Sequence, residues 1–153
     1  MEVDPNFAEF ISLLNENSVK YLVVGGYAVN YHGYPRFTGD IDLWLWLDKE
    51  NLEATIRCIE RFGFESIGIG LDDMYKPDVV LQLGYEPYRI DLLTTVDGVE
   101  FKSCYERASE VEVNNTTAPF ISLDDLLEAK KSTGRAKDIA DAIELEKLSD
   151  PKK

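Results

Sequence analysis

Residues Asp40–Leu47 read DIDLWLWL and alternate with period two. Successive side chains on a strand point to opposite faces. Ile41, Leu43, Leu45 and Leu47 therefore share one face, and Asp40, Asp42, Trp44 and Trp46 share the other. The aliphatic face demands cover from helices. The other face sets two carboxylates roughly 7 Å apart along the backbone. Like charges that close repel and raise each other's pKa, so the pair is costly unless a cation sits between them. A hard divalent ion suits it, because Mg2+ takes one or two carboxylates together with phosphate oxygens.

The same pattern reading extends outward from this strand. Asp4-Pro5 is an N-cap followed by an N1 proline, and Phe7, Phe10, Ile11 and Leu14 recur at helical spacing. Val19–Val24 is a short buried strand broken by Gly25-Gly26, with a short helix beginning over Tyr27–Tyr31. His32–Gly39 is loop. Asp48 caps a helix to about Phe62, with Leu52, Ile56 and Ile59 inward and Gly63 at its end. Glu65–Asp78 carries little pattern and reads as loop. Val79–Leu83 and Tyr88–Thr94 are strands joined by Gly84–Pro87 as a hairpin. Phe101–Ala108 is a short helix, and Val111–Ile121 holds two strands around Asn114-Asn115. Ser122 with Asp125 caps a helix that Gly134 breaks, and a last helix runs from about Arg135 to Leu148, with Ile139 and Ile143 in register. Strands mixed with helices on a short chain indicate an α/β or α+β sheet, with helices over about 122–148.

The chain has 153 residues, which predicts one domain spanning 1–153. Hydrophobic residues at 44% and aromatics at 11% argue against disorder. A formal net charge of −13 argues against a basic nucleic-acid groove as the main function. A small anionic ligand stays open, since a bound metal ion reverses the local field. No apolar run approaches the ~20 residues of a membrane span, and the acidic start MEVDPNFAEF lacks the apolar core of a secretory signal. The expected location is the cytoplasm. Cys58 and Cys104 form no CxxC pair, which argues against a disulfide framework or zinc site.

A third acid, Asp91, lies in the apolar strand YRIDLLT. Carboxylates on adjacent strands can hold metal ions that stabilise both the attacking and the leaving oxygen in phosphoryl or nucleotidyl transfer. Gly25-Gly26 follows a strand and opens a helix, where backbone N–H groups can approach an anion. Strand-Gly-Gly-helix alone is more often a plain turn. Joined to a basic loop, an Asp-x-Asp strand and a later Asp strand, it becomes specific.

With these motifs in place, GGYAVNYHGYPRFTGDIDLWL resembles the nucleotidyltransferases of the DNA polymerase beta superfamily, whose pattern is Gly-Gly/Ser followed by Asp-x-Asp. It is most similar to the small bacterial group with GG-x-A-x(3)-HG-x(2)-R-x-T-x-DID, which includes drug-modifying enzymes and toxin–antitoxin proteins of the AbiEii and minimal nucleotidyltransferase type. KKSTGRAKDIADAIEL is similar to the C-terminal K-x(3)-GR-x-KD-x(2)-D segment of that group. The resemblance spans about Val19 to Leu148 and leaves Phe64–Pro87 unmatched. It implies a mixed sheet flanked by helices, Asp40, Asp42 and Asp91 as catalytic metal ligands, and Gly25 and Gly26 in contact with a triphosphate. It implies Mg2+ or Mn2+ as cofactor, a nucleoside triphosphate such as ATP as substrate, and transfer of the nucleoside monophosphate to an acceptor hydroxyl with release of pyrophosphate. The acidic surface favours a cationic small-molecule or protein acceptor over tRNA. The alternative is an antitoxin-type binding partner of a toxin, with nucleotide binding secondary.

Several residues keep two readings. Arg36 and Thr38 reach phosphate oxygens or fasten the loop to the acid pair. His32 packs the turn or acts as a base. Trp44 and Trp46 pack beneath a helix or stack a substrate ring. Lys130, Arg135 and Lys137 close the nucleotide site or pair with Asp138 and Asp141. Asp91 is a ligand and base or an ordinary strand-edge acid.

Overall fold

A computed structural model describes residues 1–35, 37–64 and 68–149. Helix α1 (Pro5–Glu16) starts where the Asp4 side chain accepts from the Asn6 backbone N–H, and it buries Phe7, Phe10, Ile11 and Leu14. Strand β1 (Tyr21–Val24) runs directly into α2 (Gly25–Tyr31). Strand β2 (Ile41–Leu45) leads to α3 (Lys49–Ile59), capped by Asp48 and extended by a π turn over Glu60–Phe64 that Gly63 ends at φ 113°.

The stretch expected as loop contains one helical turn, α4 (Leu71–Met74), whose Met74 is buried. Two adjacent acids, Asp72 and Asp73, fill its first turn, so it carries no apolar periodicity. Strands β3 (Val80–Leu83) and β4 (Ile90–Leu93) form the expected antiparallel hairpin. Helix α5 (Phe101–Glu106) precedes strands β5 (Ser109–Val113) and β6 (Thr116–Phe120), which pair around the Asn114-Asn115 turn. Helices α6 (Leu123–Ser132) and α7 (Ala136–Ser149) close the described chain.

The six strands make one mixed sheet in the order β3-β4-β2-β1-β6-β5. β2 pairs antiparallel with β1 and parallel with β4. This central position makes β2 the keystone of the fold. Ile41, Leu43 and Leu45 are buried on its aliphatic face, as the alternation requires. On the other face Trp44 is also buried, edge-on to Phe101 of α5 with ring centroids 5.2 Å apart. Trp44 is thus a core residue. Trp46 lies just past the strand, with the Lys20 ammonium 4.8 Å over its ring.

The register expected for α7 is corrected. Ile143 is half exposed, while Asp138, Asp141, Ala142 and Leu145 are the buried positions. Two acids replace isoleucines on the inward face because α6 offers them a cation. Lys130 Nζ stands 3.1 Å from Asp138 Oδ1 and 3.3 Å from Asp141 Oδ2. No helix among the described residues is long and apolar enough to cross a membrane.

Candidate active site

The parallel pairing of β2 and β4 sets Asp42 directly beside Asp91, between the apolar pairs Ile41–Ile90 and Leu43–Leu92. Asp40 precedes β2, and its carboxylate accepts from the Arg89 backbone N–H at 3.1 Å. The three acids singled out from sequence therefore meet at one end of the sheet. The Asp42 carboxyl is pushed up to about 7, first by burial and then by the charges of Asp91 and Asp40. Among the described residues, no hydrogen bond or ion pair reaches the Asp42 carboxylate.

Arg89 belongs to this cluster and was not singled out from the sequence. Its Nε and Nη2 donate to the two carboxylate oxygens of Asp91 at 2.7 and 3.0 Å. Nη2 also stands 3.1 Å from Asp40 Oδ2, and Nη1 donates to Glu86 at 3.0 Å. The signal was present: Arg89 and Asp91 are two apart, so strand alternation puts both side chains on the acid face. With the guanidinium between two of the acids, no three acidic, histidine or cysteine side chains among the described residues form a ready-made metal cage. The donor set itself, three carboxylates offering oxygens only, is of the kind that a hard divalent ion takes.

Gly25 is explained by close approach. It starts α2 at φ 68°, and a Cβ there would overlap the Asp42 carboxylate. This follows from the register, since Val24 pairs with Asp42 across β1 and β2. Gly26 is buried and borders two cavities. The larger, about 590 Å³, lies between the sheet end and α6–α7. Val24, Gly25 and Asp42 form its floor, Asp78–Val80 and Thr95–Asp97 one wall, and Leu126, Lys130 and Arg135 another. The smaller, about 340 Å³, is bounded by Phe37–Asp40 and Asp91. Gly26, Asp42 and Lys137 line both, so the cavities meet at the acid cluster.

The basic C-terminal residues divide. Lys130 and Arg135 are engaged by α7, with Arg135 Nε 2.8 Å from Asp138 Oδ2. Lys137 is exposed and makes no ion pair among the described residues. Thr38 Oγ1 donates to the Asp40 carbonyl at 3.2 Å, so it braces the loop before β2. Arg36 lies outside the described residues. His32 Nε2 meets the Ile121 carbonyl at 2.7 Å, tying α2 to the residue after β6 as the packing reading expects.

The family model for a nucleotidyl transferase of unknown function, DUF2204, matches residues 5–153. The chain belongs to this nucleotidyltransferase family. Among curated proteins there is no sequence match. Solved structures show the same fold. The lincosamide antibiotic adenylyltransferase LnuA with lincomycin bound is 18% identical, with a TM-score of 0.61 over 96% of this chain and 98% of that one. The nucleotidyltransferase candidate TM1012 from Thermotoga maritima is 16% identical, with a TM-score of 0.59 over 92% of this chain and 88% of that one. An antigenic nucleotidyltransferase-like protein from Paracoccidioides brasiliensis is 17% identical, with a TM-score of 0.51 over 95% of this chain and 77% of that one. The family implies a nucleoside triphosphate substrate for this nucleotidyltransferase. Its mixed sheet flanked by helices is the architecture that the family resemblance implies.

Proposed function

We propose that residues 1–153 act as one domain that transfers a nucleoside monophosphate from a triphosphate to an acceptor hydroxyl on a small molecule or protein, with Mg2+ or Mn2+ as cofactor. The observation that carries this reading is the Asp42–Asp91 register at the junction of two cavities. One cavity suits a nucleotide and the other an acceptor, and the acids stand between them. Asp40, Asp42 and Asp91 would hold the divalent ion, which when bound neutralises charge developing on the phosphate oxygens.

The remaining work is positioning. Gly25 and Gly26 let the backbone come close to the triphosphate, and Lys137 supplies a free cation at the same edge. Thr38 borders the smaller cavity at the acid junction, and Arg36, outside the described residues, keeps its sequence-based role as a phosphate contact. Asp91 takes the proton as the acceptor oxygen attacks the α-phosphorus. The bond from that phosphorus to the bridging oxygen breaks, and pyrophosphate leaves. A small-molecule acceptor is supported by the likeness to an enzyme described as acting on a lincosamide. The net charge of −13 favours a cationic one.

The test is incubation with labelled ATP, CTP, GTP or UTP, Mg2+, and panels of aminated small molecules, proteins and total tRNA. Label should move to an aminated acceptor with the wild type and not with Asp42→Asn. Transfer that survives Asp42→Asn would overturn the site assignment. Transfer to tRNA alone would replace the acceptor class.

A further inference from the structure

The three acids are unequally engaged. Arg89 spans Asp91 and Asp40 with a two-pronged contact on the first and a single one on the second. Its third nitrogen points outward to Glu86, whose side chain is 69% exposed against 10% for Asp91. The backbone N–H of the same residue fixes the other oxygen of Asp40. Thus one cation of the chain itself lies in the space between Asp40 and Asp91, while Asp42 has no partner among the described residues.

A bidentate arginine uses the carboxylate lone pairs that face it. These are the lone pairs that an ion shared by Asp40 and Asp91 would need. Three carboxylates crowded at one sheet end would otherwise repel without relief. An internal counter-ion relieves that repulsion, and the same contacts oppose entry of another cation. Glu86 gives the guanidinium a place to go: it is already bonded to Arg89, lies outside the trio and is open to solvent.

We infer that Arg89 is a built-in counter-ion that competes with a divalent cation for Asp40 and Asp91, and that Glu86 receives its guanidinium when the cation enters. This rests on the proposed cation role of the three acids. It separates Arg89 from a fixed clamp, which would hold Asp91 in place for the ion and stay put. Arg89 is a positioning residue in this scheme, since it acts through the carboxylates.

The experiment is Mn2+ titration of the nucleotide-free full chain by calorimetry, with wild type, Arg89→Lys, Glu86→Gln and the double variant. Arg89→Lys keeps the charge and loses the fork, so Mn2+ should bind about tenfold tighter. Glu86→Gln should weaken binding in the wild type and have no effect beside Arg89→Lys. Equal or weaker binding by Arg89→Lys would overturn the competition and establish a clamp. No Mn2+ binding by any of the four proteins would overturn the cation role of the trio as well. A measurement on wild type alone guards against a misfolded variant. The Arg89 Nε–H resonance should exchange faster with water as Mg2+ is added. Unchanged protection at saturating Mg2+ would also overturn the proposal.

Discussion

Asp42 on β2 and Asp138 on α7 border the same cavity and are both withdrawn from water, yet their carboxyl groups are pushed in opposite directions. Around Asp138 burial acts upward. It is outweighed by hydrogen bonds from Thr133, Lys130 and Arg135, which leave the group below the usual carboxylate range. Around Asp42 burial also acts upward, and the neighbouring Asp91 and Asp40 add to it. One cluster is complete within the protein, and in the other the Asp42 carboxylate has no hydrogen-bond partner among the described residues. Acids withdrawn from water are thus not alike: donors around Asp138 make it a structural tie, and the lack of donors around Asp42 is the feature on which its proposed cation role rests.

The widest separation between the two should appear in catalysis. Asp42→Asn should lower nucleotidyl transfer by at least about 10³-fold, the scale on which removing one group that stabilises transition-state charge acts. Lys130→Met should leave Asp138 and Asp141 without their shared cation and cost about 3 kcal/mol in urea unfolding. An unchanged midpoint would mean that the α6–α7 cluster is not the tie described here.

The third prediction reverses the usual sign of mutation. The folded pKa of Asp42, about 7, lies above the ordinary value of 3.8, so the fold holds this proton more tightly than the unfolded chain does. Stability from this group is full below the unfolded value and falls as pH rises from about 4 to about 7. Asp42→Asn removes that loss. In chelator-treated protein it should be more stable than the wild type by about 2 kcal/mol at pH 8, with the gain vanishing near pH 4. A gain that stays constant across this range would rule out ionisation as its cause. The smallest effect is expected for Gly25→Ala, where a positive φ and the overlap with Asp42 should cost about 1–2 kcal/mol.

The sheet was legible where side-chain period and burial agree. DIDLWLWL shows its two faces, and the register with YRIDLLT then brings Asp42 to Asp91. Two things were less legible, for different reasons. Arg89 carried the strand period, but attention to acids passed over a cation on the same face. In α7, apolar periodicity selected Ile143, whereas the buried face is set by Lys130 of α6, a partner that α7's own residues do not reveal. From sequence alone Gly25 reads as room for phosphate. Its first physical requirement is room for Asp42, which only the pairing of β1 with β2 exposes.

The parallel joint between β2 and β4 has a consequence in time. Asp40 and Arg89 lie 49 residues apart in the chain, so their contact must wait for α3, α4 and β3 to be spanned by a closing loop. Closure of that length costs entropy before any contact repays it. The apolar pairs Ile41–Ile90 and Leu43–Leu92 flank the acids and close in the same docking event. The repulsion that Asp91 adds to the Asp40–Asp42 pair is therefore absent from the early chain and arrives with the hydrophobic gain that offsets it. The acid-bearing end of the sheet is assembled by the long-range step of folding, and a nascent chain that has not yet made β4 lacks both Asp91 and Arg89 beside Asp40 and Asp42.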